Sequence, residues 1–269
     1  MSRYTTLIPF EALRADMLVI DVSFDLADTT AGERAYAQGH LPGAHYLHLD
    51  RDLSGPKTGS NGRHPLPDRA AFAERMRALG LNRQTQAVAY DAQGGMYAAR
   101  LWWMLRWIGH SAAAVLDGGK QGPLTTEVPR TAPGDFVIGP PLTPMFDAAA
   151  LLGHLGRVRL IDARAPERFR GEVEPLDQQA GHIPGAANRL FKHNLQEDGR
   201  FKSAEQLRAE FAPLLAPHGA EGTVHSCGSG VTACHNLLAM EHAGLGGSAL
   251  YPGSWSEWSS DPARPVAKG

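Results

Sequence analysis

The chain has 269 residues, with 26 Lys and Arg against 28 Asp and Glu, 20% charged residues and two cysteines. This balance provides no basic surface for nucleic acid and no disulfide framework, and no apolar run approaches the ~20 residues a membrane helix needs. Met1 to Phe10 contain one Arg and no apolar run long enough for a signal peptide, so a cytoplasmic location is expected.

Leu18 to Val22 is a short apolar run around Asp21, expected as a buried strand. Gly39-His40-Leu41-Pro42-Gly43-Ala44 follows as a turn. Arg69 to Leu79 places apolar residues at helical spacing behind the start signal Pro67-Asp68. Ala87 to Tyr90 is a second strand, which feeds through a tight loop at Asp91 into a helix over Met96 to Ile108. Trp102, Trp103 and Trp107 on that helix are assigned to packing. Leu124 to Pro144 is dense in proline, which favours extended, semi-rigid chain.

The same order then returns. Arg159 to Asp162 reads as a strand, Gly181-His182-Ile183-Pro184-Gly185-Ala186 as the turn, and Ala204 to Leu215 as a helix behind Ser203. Thr223 to Ser226 is a strand running into Cys227, and Thr232 to Ala243 is the helix after it. Leu116-Asp117-Gly118-Gly119 has its counterpart in Leu250-Tyr251-Pro252-Gly253. Recurrence at so long a period is a domain duplication. The expected division is a first domain over 1–124, a linker over 125–142 and a second domain over 143–269. Alternating strands and helices imply an α/β fold, each domain a mostly parallel sheet with helices on both faces. Sites in such sheets form outside the carboxyl ends of strands, where Cys227 falls.

The segment His225-Ser226-Cys227-Gly228-Ser229-Gly230-Val231-Thr232-Ala233-Cys234 is the most informative in the chain. Its glycines permit a tight curl that turns backbone N–H groups inward. With the start of a helix behind it, such a curl stabilises a thiolate. A cysteine after a strand is also a small buried hydrophobe, and that reading is preferred for Cys234, which lies in an apolar helix. Phosphatase chemistry would need an Arg six residues after the cysteine, where Ala233 stands. A metal site would have to gather His225, Cys227, Cys234 and His235 from a strand, a loop and a helix, at a spacing unlike zinc patterns. A redox pair of Cys227 with Cys234 would need an unusual loop.

Cys-Gly-Ser-Gly-Val-Thr-Ala-Cys-His at 227–235 resembles the active loop of tandem-domain rhodaneses, in the form typical of mercaptopyruvate sulfurtransferases. Asp162-Ala163-Arg164, Arg168-Phe169-Arg170-Gly171, Gly181 to Asn188 and Tyr251 to Trp258 resemble other signatures of that family. Gly39 to Ala44, Tyr90-Asp91 and Arg100 to Trp103 extend the resemblance to the first half.

The resemblance implies two rhodanese-like domains. The first is silent, because Asp91 holds the cysteine position and a carboxylate cannot form a persulfide. In the second, Cys227 takes sulfane sulfur from a small-molecule donor and passes it to cyanide, a small thiol or a reduced thioredoxin, with no metal or other cofactor. The N–H groups of Gly228, Gly230, Val231 and Thr232 are expected to hold the sulfur anion, with Ser229 as a catalytic hydroxyl and Arg168 as the cation for a donor carboxylate. Arg170 and His40 are further candidates. Neutral Gly228 and Ser229 favour 3-mercaptopyruvate, whereas Leu176, where the family usually has a second Arg, keeps thiosulfate open as the alternative donor. A persulfide carrier without broad turnover is a third reading.

Overall fold

The structure is a computed structural model and describes residues 3–269. The chain forms two compact units. The first takes the chain up to Gly55, Leu66–Leu142 and Glu197–Phe201; the second takes Pro56–Pro65, Thr143–Gln196 and Lys202–Gly269.

In the first unit, β1 (Leu7–Ile8), β2 (Leu18–Asp21), β3 (His45–Tyr46), β4 (Ala87–Tyr90) and β5 (Ala113–Leu116) form one sheet in the order β1-β5-β4-β2-β3. Every pairing is parallel. The connecting helices are α1 (Ala31–Gln38), α2 (Arg69–Ala78) and α3 (Ala98–Trp107). All residues of β2, β4 and β5 are buried, which fits their largely apolar sequences: a parallel sheet is covered on its faces. Trp102 and Trp103 are fully buried on α3.

In the second unit, α4 (Ala148–His154), β6 (Arg159–Asp162), α5 (Pro166–Phe169), β7 (Ala186–Asn188), α6 (Ala204–Leu215), β8 (Thr223–Ser226), α7 (Thr232–His242), β9 (Ala249–Leu250) and α8 (Ser254–Trp258) follow in order. Its sheet is β7-β6-β8-β9, again all parallel. Ser203 caps α6 with a reciprocal capping box: its side chain accepts from the N–H of Gln206, and the Gln206 side chain accepts from the N–H of Ser203. Leu160, Val224, Tyr251, Trp255 and Trp258 form the core around the sheet.

The stretch 125–142, expected as a linker, is packed into the first unit. Thr125 exchanges backbone hydrogen bonds with His40, and the N–H of Gly134 donates to Arg77 at 2.8 Å. Phe136 is buried, and the N–H groups of Gly139 and Leu142 donate to Ile108 and Arg106. Proline removes donors and a run of prolines disfavours helix, but the intervening residues still pin an extended chain. Conversely, Pro56–Pro65 lies in the first half of the sequence and belongs to the second unit.

Candidate active site

Strand β8 is wholly buried and delivers Cys227 at its carboxyl end, five residues before α7 begins at Thr232. Residues 251–256 cradle the loop. The Cys227 N–H donates to Ser254 Oγ at 3.0 Å, and the Cys227 and Gly228 carbonyls accept from the N–H groups of Trp255 and Ser256, both at 2.9 Å. Ser254 holds φ 53°, and its hydroxyl sits 2.9 Å from the Tyr251 carbonyl and 4.0 Å from Cys227 Sγ. With one proton to give, the shorter contact takes it. Gly230 has φ 74°, and a Cβ there would lie 2.2 Å from the Pro252 carbonyl oxygen, so the curl requires glycine.

The Gly230 N–H points at Cys227 Sγ with an N···S distance of 3.1 Å. This is narrower than expected. Among the described residues, the N–H groups of Gly228, Val231 and Thr232 do not reach the sulfur. Cys227 is only 2% exposed, in a loop that is buried throughout. The first unit shows what a fuller curl does. The Asp91 carboxylate accepts from the N–H groups of Gln93, Gly95 and Tyr97 at 2.8 Å and of Ala98 at 2.9 Å. Burial pushes this carboxyl up, and the four N–H groups oppose the rise. The Asp91 side chain thus fills the acceptor position of its own loop.

Ser229 is buried, and its Oγ lies 2.8 Å from Nδ1 of His64. Arg63, beside that histidine, pairs with Asp177. Arg168 sits at the end of α5, 17% exposed, with Nη2 at 2.7 Å from Glu174 and 3.2 Å from Asp177. Glu174 also faces Arg164, which is held by Asp162 at 2.7 Å. Burial pushes the Asp177 carboxyl up, and the Arg63 hydrogen bond and charge pull the other way. A cleft of about 210 Å³ opens here, lined by Arg63, Leu176, Asp177 and Ser256 among others. His64 and Arg63 escaped the sequence reading because they lie among first-half residues. Their only signal is an Arg-His pair in a loop of glycine, serine and proline.

Two candidates lie outside the site. Arg170 is exposed and forms a two-pronged pair with Glu172, at 2.7 and 2.9 Å. His40 belongs to the first unit, where it is stacked on Tyr36 at 3.8 Å with both ring nitrogens facing carbonyl oxygens, of Tyr36 at 2.8 Å and Glu127 at 3.1 Å. No ring nitrogen is left to relay a proton, so His40 braces its turn. His182 does the same on Phe169 in the second unit.

Cys234 is fully buried and directs its thiol at the Gly230 carbonyl, at 3.3 Å. Neither cysteine is in a disulfide. Among the described residues, no three His, Cys, Asp or Glu side chains are grouped to hold a metal ion.

His225, two residues before the cysteine, is fully buried against the Met240 sulfur. Burial, helped by the charge of Arg189, pushes its imidazole down to about 3. A free histidine titrates near ~6.5, so on acidification the unfolded chain takes up a proton that the folded chain refuses. This contribution to stability is complete above pH ~6.5 and is lost as pH falls towards 3. In His225→Leu, stability between pH ~6.5 and ~4 should therefore fall less steeply than in the parent, by up to ~1.4 kcal/mol per pH unit, in denaturant titrations at each pH. Equal slopes would contradict this.

A cysteine presented at a strand end, in a glycine curl with an amide aimed at its sulfur, has the surroundings that suit a cysteine nucleophile. The chain matches the rhodanese-like domain model over residues 11–122 and again over 147–261, and it belongs to the rhodanese family. It is 48% identical over 264 residues to a probable 3-mercaptopyruvate sulfurtransferase of Pseudomonas aeruginosa, covering 94% of this chain and 93% of that one. It is 35% identical over 275 residues to a thiosulfate sulfurtransferase of Cricetulus griseus, covering 96% and 91%. The 3-mercaptopyruvate sulfurtransferase from Leishmania major has a similar structure, with TM-score 0.83 at 29% identity, covering 95% of this chain and 74% of that chain.

Proposed function

We propose that the chain is a sulfurtransferase that moves sulfane sulfur from 3-mercaptopyruvate, through a persulfide on Cys227, to a thiophilic acceptor. The observation that carries this reading is the Gly230 N–H aimed at Cys227 Sγ beside the Ser229–His64 pair. The Cys227 thiolate attacks the donor sulfur, and an S–S bond forms as the donor C–S bond breaks. The bonding pair passes to carbon as the enolate of pyruvate, which takes one proton to give pyruvate. Cyanide or a thiolate then attacks the outer sulfur and returns Cys227 as thiolate. The Gly230 N–H steadies the sulfur anion on both sides of the exchange.

Ser229, hydrogen-bonded to His64, is the hydroxyl placed to move the proton that the enolate requires. His64→Ala and Ser229→Ala should each lower kcat roughly 10²–10⁴-fold with 3-mercaptopyruvate. They should leave transfer from thiosulfate, whose leaving group is sulfite and needs no proton on carbon, much less affected. Steady-state rates with both donors test this, and equal losses with both would contradict it.

Relatives named for either donor match this chain over most of its length, and the neutral loop positions Gly228 and Ser229 favour 3-mercaptopyruvate. Thiocyanate formation from cyanide with the two donors compared side by side tests the choice, and a thiosulfate preference above about tenfold would reverse it. A reduced thioredoxin is the proposed physiological acceptor class. A reducing compartment such as the cytoplasm suits two cysteines outside any disulfide.

A further inference from the structure

Helix α7, which follows the cysteine loop, is apolar along most of its buried length, yet His235 and Asn236 near its start are both fully buried. Taking polar groups out of water is costly unless they are paired. Both are tied to one hub, Asn194, itself fully buried at the end of a 3₁₀ turn over Phe191–Asn194. Asn194 Nδ2 donates to Asn236 Oδ1 at 2.7 Å and lies 3.1 Å from His235 Nδ1. Its Oδ1 accepts from Arg189 Nε at 3.3 Å and Nη2 at 3.1 Å, and Asn236 Nδ2 donates to the Arg189 carbonyl at 3.0 Å. Arg189 Nη2 also donates to Glu210 Oε2 at 2.8 Å, so the hub is braced from α6 as well. The first unit keeps a tie at the same place with different residues. Arg100 stands nine residues after Asp91, as Asn236 does after Cys227, and Leu53 precedes Asp91 by 38 residues, as Arg189 precedes Cys227. Arg100 Nη2 donates to the Leu53 carbonyl at 3.4 Å, the counterpart of the Asn236–Arg189 bond. A tie that recurs with its residue types changed points to the placement of the helix, not to a particular side chain, as what it serves.

We infer that Asn194 is a positioning residue for Cys227: it holds α7, and the loop that runs into α7, so that the Gly230 N–H meets the sulfur. The inference rests on the proposed function in taking Cys227 as the reactive thiol. Apolar contacts carry little directional information, whereas hydrogen bonds fix distance and angle. The path from the hub to the sulfur is short. Cys234, two residues before Asn236, directs its thiol at the Gly230 carbonyl at 3.3 Å, and the Gly230 N–H lies 3.1 Å from Cys227 Sγ. Among the described residues that is the one amide at the sulfur, so a small rotation of α7 withdraws it.

The test uses the full chain. Asn194→Asp keeps the acceptor for Arg189 but sets a second oxygen against Asn236 Oδ1, so it breaks the tie without emptying the site. With 3-mercaptopyruvate, kcat should fall about tenfold while KM stays within about threefold. Alkylation of Cys227 by iodoacetamide, read by peptide mass, needs no sulfur donor. At pH values where the parent's rate still climbs with pH, the variant should react about tenfold more slowly, and its limiting rate at high pH should stay within about twofold. Asn236→Leu, which removes both bonds of that side chain and fills the space, should act in the same direction. Leu151→Ala, in the core cluster with Leu160 and Val224, should lower the melting temperature and leave the alkylation profile and kcat within about twofold of the parent. A parental profile in both network variants, an equal change in Leu151→Ala, or failure of both network variants to fold would overturn the inference and mark Asn194 as structural. A shifted profile in a chain that transfers no sulfur would support the placement of Cys227 by Asn194 and sink the proposed function alone.

Discussion

Cys227→Ser should abolish sulfur transfer from 3-mercaptopyruvate and from thiosulfate, with kcat/KM falling at least ~10⁴-fold. A serine oxygen is a far weaker nucleophile towards sulfur and cannot carry a persulfide. The fold should tolerate the change. The replaced atom is small, the Gly230 N–H remains to donate to a hydroxyl, and the loop is held by its backbone bonds to Ser254, Trp255 and Ser256. Thiocyanate assays beside a thermal melt check both halves of the statement. Substantial residual turnover would mean that another group carries the sulfur.

Gly230→Ala should have the second-largest effect, through geometry rather than chemistry. The backbone at 230 is left-handed, a conformation that costs an alanine ~1–2 kcal/mol, and the added methyl would meet the Pro252 carbonyl oxygen at 2.2 Å. That oxygen is backbone and cannot swing aside, so the loop must open. As the loop opens, the Gly230 N–H leaves the sulfur. Loss of one preorganised donor to a developing anion typically costs ~10²–10³-fold in kcat, and this loss should appear with Cys227 still present and still alkylated by iodoacetamide. Near-parental kcat in Gly230→Ala would show that this amide does not matter to the reaction.

Much of the fold was legible because parallel strands leave a plain trace. β2 and β4 are buried along their whole length and are largely apolar, and the motifs around them recur in order in the second half. The cysteine loop was legible for a different reason: glycine on both sides of Ser229, between a strand and a helix, permits a tight curl that other residues would resist. Arg168 was found through its signature. His64 and Arg63 were not, because a segment from the first half of the sequence packs with the second unit, and spacing carries no record of such an exchange. The stretch 125–142 misled for a related reason, since proline density reports stiffness and not freedom. The number of amides at the sulfur was also beyond the sequence. Composition predicts a curl, but which N–H meets Sγ depends on tenths of an ångström.

The most direct measurement is the mass of the protein after brief treatment with stoichiometric 3-mercaptopyruvate in the absence of an acceptor, followed by peptide mapping. The intact chain should gain about 32 Da, confined to the peptide bearing Cys227, and cyanide should remove it with release of one thiocyanate per chain. An unchanged mass, or an adduct on Cys234 with Cys227 unmodified, would contradict the account.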